Sequence, residues 1–155
     1  MTEEFKTALE ELASLKGEVG RALVERFSRA GPDDIAWFRE RFPRIPDALR
    51  RAALASMVEN AEADYELDYT GLYRVALDDV LPEVRRLAVE GLWEDERPDL
   101  IRKLIALLES DPSDMVRAEA ATSLGRYIYL GECDELDSAR AACVREALER
   151  AHASQ

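Results

Sequence analysis

Apolar side chains recur every three or four residues along most of the chain. This spacing places them on one face of an α-helix. Proline, glycine or clustered acidic residues interrupt the pattern roughly every 10 to 15 residues, which is an ordinary helix length. The sustained alternation typical of strands is absent, and no Asn-Gly or Asp-Gly hairpin turn occurs. The pattern therefore predicts an all-α protein with no β-sheet and about nine short helices.

The interrupting residues set the expected helix bounds, because proline favours the first turn of a helix and acidic residues there suit the helix dipole. We expect the acidic segment 61–68 to be a loop, and Tyr69 and Tyr73 to pack together one turn apart. Helices are expected at about residues 3–16, 18–29, 33–42, 46–60, 69–77, 82–92, 98–108, 113–130 and 137–151.

Three nine-residue segments align without gaps. Each begins with an aliphatic residue followed by arginine, has alanine three residues after that arginine, and ends with leucine or methionine. The aliphatic, alanine and final residues share one helical face, and the small alanine lets neighbouring helices approach closely. The segments are residues 49–57, 84–92 and 116–124. A repeat of 32 to 35 residues indicates stacked helical units rather than one bundle.

An aspartate precedes two of these segments at a fixed distance of six residues from the arginine. The pairs are Asp79 with Arg85 and Asp111 with Arg117. We expect each pair to be partly desolvated and hydrogen-bonded, so that stacked units form a structural ladder. Arg44 stands where an acid would precede Arg50, so the first unit is expected to lack this contact.

This arrangement resembles the HEAT-repeat family, in particular the short HEAT-like repeats also found in phycobilisome lyases. The motif that carries the resemblance covers about residues 32–130. Its residues are Asp79, Val84, Arg85, Ala88 and Leu92 in one unit and Asp111, Val116, Arg117, Ala120 and Leu124 in the next. The resemblance implies a right-handed, armadillo-like α-solenoid (an α-α superhelix) of about four helical hairpins. In such a hairpin an outer helix A precedes a helix B that lines the concave face.

The resemblance also implies a single domain over residues 1–155. The helices that hold the three aligned segments are then B helices. Residues 1–31 are expected to form an N-terminal helical cap, and residues 137–151 a C-terminal capping helix. The repeats are expected at 32–60, 68–93 and 98–130.

A candidate partner surface lies on the B helices, opposite the face formed by the aliphatic, alanine and final residues of the three aligned segments. We call that buried face the core stripe. Measured at 100° per residue from Val84, the exposed arc of the second B helix holds three large polar or aromatic residues, with Val89 at its margin. The expected partner-binding residues are Arg86, Glu90 and Trp93 on that helix and Arg51 one repeat earlier. Tyr129, one turn beyond the equivalent positions on the third B helix, completes the set.

Two alternatives apply to this surface. Trp93 is either an anchor for a partner or, if helix B ends there, folds over Pro98 or the next A helix. The two arginines either contact acids of a partner or form a solvated charged face with nearby glutamates.

Composition argues against several classes of function. Asp and Glu total 33 against 21 Lys and Arg, which gives a net charge of −12 and opposes binding to nucleic-acid phosphates. No apolar stretch reaches about 18 residues, so no membrane span is expected. The N-terminal sequence has no apolar run of the kind found in signal peptides, so we expect a cytoplasmic protein.

No residue pattern indicates a catalytic, cofactor or metal site. His152 is the only histidine, and no nucleotide-binding or nucleophile-elbow motif occurs. Cys133 and Cys143 do not form a CxxC pair and are expected to be buried apolar residues. The acidic segment imitates the start of a calcium loop, but Tyr69 and Val75 stand where that loop needs glycine and glutamate.

The repeat, together with the missing catalytic set, predicts a non-enzymatic protein–protein interaction or scaffold module. We expect a monomer that binds a partner protein on its concave B-helix face. The resemblance implies an alternative, a subunit of a bilin lyase-type enzyme that attaches chromophores. A nucleic-acid-binding solenoid would need a basic concave face, which this acidic chain does not offer.

Overall fold

The computed structural model describes residues 2–132 and 138–154, and this part of the chain is all-helical, as predicted. It contains nine α-helices and a short 3-10 turn at Phe42–Arg44. The helices are α1 (Glu3–Ser14), α2 (Arg21–Glu25), α3 (Pro32–Arg41), α4 (Asp47–Ala63), α5 (Thr70–Ala76), α6 (Pro82–Gly91), α7 (Pro98–Ser110), α8 (Asp114–Glu132) and α9 (Ser138–Ala153).

Helices α2 and α4 differ from the expected bounds by three residues or more, and the other helices agree with them to within two residues. The second helix is shorter than expected because Gly20 is extended and forms its N-terminal cap. Helix α4 continues three residues past Asn60, because the Ala-Glu-Ala sequence that follows favours a helix. Helix α8 passes through Gly131, where we expected a loop. The expected loop after it, with Cys133, lies outside the described residues.

The chain forms two compact units, residues 1–92 and 93–155. In the first unit α1, α3 and α5 stack in succession, and α2, α4 and α6 stack beside them as a second layer. In the second unit α7, α8 and α9 all contact one another. Within each unit these contacts agree with the expected alternation of A and B helices. One continuous array over residues 1–155 stays a prediction.

The repeated core stripe is buried as its spacing predicts, except for Leu49, which is half-buried. Val84 and Ala88 on α6 are completely buried, and so is Ala120 on α8. The other buried members are Ala53, Met57, Leu92, Val116 and Leu124. Burial of these apolar side chains holds each B helix against its neighbours.

Gly91 lets α6 approach α5 closely in the first unit. A Cβ atom built on Gly91 would lie 2.5 to 2.7 Å from ring atoms of Tyr73, which is far inside van der Waals contact. Because Tyr73 is itself buried, its ring has little room to move away. This position therefore requires the absence of a side chain.

Tyr69 and Tyr73 form the expected packed pair, with ring centroids 6.1 Å apart in an edge-to-face arrangement. Both residues are buried, and among the described residues neither hydroxyl has a hydrogen-bond partner of good geometry. Burial raises the pKa of both tyrosines, and the nearby Asn60 amide partly opposes the rise at Tyr69. The two phenols therefore stay protonated in the folded protein at pH values where free tyrosine ionises.

The raised pKa of Tyr73 makes stability depend on alkaline pH. The unfolded chain releases this proton near pH 10, whereas the folded chain keeps it, so the free energy of unfolding should fall as pH rises above about 10. Tyr73→Phe should flatten that decline by up to about 1.4 kcal/mol per pH unit. Urea unfolding between pH 8 and 11 measures the slope. The control is Tyr65→Phe, because Tyr65 is 94% exposed; equal slopes for both variants would contradict the expectation.

Candidate functional site

A buried ion pair fixes two successive B helices of the first unit. Arg50 on α4 donates from Nη2 to Oδ1 of Asp79 at 3.2 Å, and its Nε lies 3.2 Å from Oδ2. Both side chains are only 3% exposed. Arg50 also donates to the carbonyl oxygen of Ile45 at 2.6 Å. The pair joins residues 29 positions apart and so locks the turn before α6 onto α4.

The partner of the Asp79 carboxylate therefore differs from our expectation. The Asp79 carboxylate faces Arg50 of the preceding unit, while Arg85 donates to the backbone carbonyls of Asp79 and Val80 at 2.9 and 3.1 Å. The expectation that the unit with Arg50 lacks the contact was wrong. The aspartate accepts from the arginine one repeat earlier, so an acid at position 44 is not needed for Arg50 to be paired.

Arg117, like Arg85, donates to a backbone carbonyl of the turn that precedes its helix. It donates to the backbone carbonyl of Asp111 at 2.6 Å, whereas the Asp111 carboxylate accepts from the backbone N–H of Ser113 at 2.9 Å. Its second partner is the carboxylate of Asp114 on the same helix. Arg85 and Arg117 therefore each donate to the backbone carbonyl of the aspartate in the turn before their own helix.

The polar part of the expected partner surface lies on α4 and α6 of the first unit. Arg51 forms an ion pair with Glu83 at 3.4 Å, and Arg86 donates to Glu90 at 3.1 Å one helical turn away. All of these side chains are partly exposed. Their charges are matched within the chain, so this face presents a locally neutral polar surface.

Val89 does not belong to that surface, because it is completely buried. Helix α6 contacts both α4 and α5, so its buried arc is wider than the core stripe alone suggests.

Trp93 lies beyond the end of its helix. Helix α6 ends at Gly91, and Trp93 begins the second unit with 58% of its surface exposed. The helical position assigned to Trp93 is therefore wrong, because the projection at 100° per residue does not continue past Gly91. More than half of the residue remains open to solvent.

The loop after Trp93 is held firmly against α8. The backbone carbonyl of Asp95 accepts from Arg126 at 3.0 Å and from the Tyr127 hydroxyl. The Asp95 carboxylate accepts from the backbone and side chain of Arg97 at 2.8 to 3.1 Å. These bonds fix the segment that follows the exposed indole.

Tyr129 is 65% exposed on α8, two residues beyond the completely buried Tyr127. It lies on a B-layer helix of the second unit, as its spacing predicts.

A cleft of about 1010 Å³ lies among the ends of α7, α8 and α9 in the second unit. Its small apolar side chains come from α8 and α9, and its charged rim holds Arg117, Arg150 and His152 beside Glu109 and Asp114. Arg150 donates to Glu109 at 2.8 Å, and this bond raises the pKa of Arg150.

The described residues contain no cluster of three or more side chains suited to a metal ion. None of the helices described is long and apolar enough to cross a membrane. Cys143 is exposed, so the expectation that it is buried was wrong.

Comparison with known families decides the family. The family model of HEAT repeats matches residues 70–154, more than half of the chain. The chain belongs to the HEAT-repeat family. No curated protein and no solved structure matches the sequence significantly.

Membership in the HEAT-repeat family confirms the resemblance and the all-α helical-repeat class. HEAT repeats commonly mediate protein–protein interaction and are typically non-enzymatic scaffolds. The match begins at the first residue of α5. In this HEAT-repeat protein, helices α1 to α3 follow the repeat pattern through their layers only, and α4 also carries the core stripe.

Two features of this HEAT-repeat protein escaped the sequence analysis. Arg50 is the arginine that binds Asp79, and the 29-residue separation could have indicated this partner, because it is close to one repeat length. The cleft at the start of α8 left no signal in the sequence, because it depends on how the ends of α7 and α9 pack beside α8 and not on spacing within any one helix.

Proposed function

We propose that the chain is a non-enzymatic protein–protein interaction module and that Trp93 is a principal contact to its partner. The observation that carries the proposal is a tryptophan 58% exposed at the start of a hydrogen-bonded loop. Tryptophan is enriched among the residues that supply most of the binding energy at protein interfaces. Its large apolar ring gains most when a partner covers it.

The fixed loop supports this role. Asp95 holds the segment to α8 through its carbonyl and closes the turn through its carboxylate. A residue beside an ordered backbone loses less conformational entropy on binding than one on a mobile segment. The backbone next to Trp93 therefore loses little conformational entropy when a partner binds.

The B-layer helices supply the remaining contacts in this proposal. Arg51, Arg86 and Glu90 form the polar contacts of the first unit, and Tyr129 adds an exposed ring in the second. Because the arginines are already paired with glutamates, a partner gains orientation from them more than affinity.

Trp93→Ala tests the proposal. The change should abolish capture of the partner by the tagged full-length chain from native lysate, as identified by mass spectrometry. It should alter the free energy of unfolding by no more than about 0.5 kcal/mol, because the residue is mostly exposed. The matched control is Tyr65→Ala, which removes an exposed ring from the first unit and should leave capture unchanged.

Two outcomes would contradict the proposal. If Trp93→Ala retained the same partner as the wild type, Trp93 would not be a principal contact. If it lowered the unfolding free energy by more than about 2 kcal/mol without changing capture, the tryptophan would have a packing role.

A further inference from the structure

Two unmatched carboxylates follow Trp93 in the loop that begins the second unit. The charged residues of this loop are Glu94, Asp95, Glu96 and Arg97. Asp95 and Arg97 neutralise each other, because Nη2 of Arg97 lies 2.8 Å from Oδ2 of Asp95. Glu94 and Glu96 are exposed, and among the residues described neither carboxylate has a hydrogen bond or an ion pair. The loop therefore leaves two negative charges uncompensated beside the exposed indole.

Arg126, the cation of α8 that holds this loop, does not present its charge at the surface. Its Nη2 donates to the carbonyl oxygen of Asp95 at 3.0 Å, and its Cζ lies 4.6 Å from the centre of the Tyr127 ring. Its Nε and Nη1 atoms are buried. A partner that covers Trp93 therefore meets exposed carboxylates rather than a free guanidinium.

A partner on the indole also comes close to these carboxylates and removes part of their water. A surface that is only apolar at this point would leave the two charges without compensation, which opposes binding. Arginine or lysine side chains would replace the lost water with charge-assisted hydrogen bonds. The charged residues of α6 create no such demand, because Arg86 is already paired with Glu90.

We propose that the partner covers Trp93 with an apolar pocket whose rim carries arginine or lysine residues, and that these cations pair with Glu94 and Glu96. This inference rests on the proposed contact at Trp93 and adds the chemistry of the surface that meets it. Opposite charges at the rim speed the encounter and set its orientation, whereas the buried indole slows dissociation. The association therefore weakens as ionic strength rises.

Partners of negative charge fit this loop less well. A second copy of the chain carries a net charge of −12, and nucleic acids and anionic membranes are negatively charged as well. Each of them would place like charges against Glu94 and Glu96, which opposes association. The unmatched carboxylates therefore favour a protein with a basic surface.

The test uses the tagged full-length chain as bait in nuclease-treated native lysate, at about 50 and about 300 mM salt, with captured proteins quantified by mass spectrometry. The wild type should lose roughly threefold to tenfold of its partner at the higher salt concentration, the combined effect of two solvent-exposed ion pairs. The double variant Glu94→Gln, Glu96→Gln should show that loss already at the lower salt concentration and respond little to added salt. Both residues are exposed, so the double variant should fold as the wild type does.

The matched control is the double variant Glu10→Gln, Glu18→Gln. It makes the same change in net charge at two exposed positions of the first unit, so it should capture the partner as the wild type does. An equal loss in both double variants would show an effect of net charge alone and would overturn the assigned rim.

Other results would also overturn the proposal. These are equal or stronger capture by the Glu94→Gln, Glu96→Gln variant at the lower salt concentration, and wild-type capture that does not respond to salt. Trp93→Ala, measured in parallel, separates this proposal from the one on which it rests. If Trp93→Ala loses the partner and the double variant keeps it, the basic rim is wrong. If Trp93→Ala keeps the partner, the contact at Trp93 is wrong, and so is the pocket proposed to cover it.

Discussion

Replacing Arg50 by alanine is expected to lower the free energy of unfolding by about 3–5 kcal/mol. The change leaves the Asp79 carboxylate, which is 3% exposed, without its guanidinium partner. It also removes the donor to the carbonyl of Ile45. Removing one partner of a buried ion pair costs more than the pair contributes, because the remaining charge cannot be hydrated. Chemical unfolding followed by circular dichroism measures the loss.

Arg51→Ala is the matched control, since it removes a neighbouring arginine on the same helix. Arg51 is partly exposed, and its pair with Glu83 is solvated, so the expected cost is at most about 1 kcal/mol. Equal effects of the two substitutions would show that the pair of Arg50 and Asp79 is not a structural element of the first unit.

Gly91→Ala is expected to lower the free energy of unfolding by about 1–3 kcal/mol. The new methyl group would lie 2.5 Å from the Tyr73 ring, so either α6 must move away from α5 or the tyrosine must leave its position. Alanine favours a helix over glycine by about 1 kcal/mol, and the clash must exceed that gain. The same unfolding measurement detects the net loss.

Gly125→Ala provides the opposite control on another B-layer helix. Apart from its chain neighbours and the backbone of its own helix, no atom lies within 4 Å of a Cβ built at Gly125, and the residue is inside α8. Because only the helix preference of alanine over glycine acts here, we expect Gly125→Ala to raise the free energy of unfolding by about 0.5–1 kcal/mol. A destabilising Gly125→Ala together with a neutral Gly91→Ala would contradict the assigned approach of α5 and α6.

The helical repeat could be predicted because it depends on local periodicity. Val84, Ala88 and Leu92 lie on one face of any helix that contains them, and burial follows from that face. The ladder could be predicted only in part. Spacing along the chain paired Asp79 with Arg85, whereas stacking pairs its carboxylate with Arg50. Contacts between repeats depend on the packing of helices, which sequence spacing within one repeat does not encode.

The candidate site could likewise be predicted only where it depends on local helix geometry. Exposure of Arg86 and Glu90 follows from helix geometry, and the structure places both on the outer part of α6. Trp93 could not be placed in this way, because the helix ends at Gly91 and the loop direction depends on Arg126 and Tyr127, more than 30 residues later. Val89 was misplaced because its burial depends on two neighbouring helices at once.

Photo-crosslinking in cells tests the central claim, a partner contact at Trp93, most directly. A photoreactive phenylalanine analogue replaces Trp93 in one variant and Tyr65, the most exposed aromatic residue described, in a control. Adducts are identified by mass spectrometry. The account predicts one discrete protein adduct from position 93 that position 65 does not give. The absence of any adduct at position 93, or the same adducts from both positions, would contradict it.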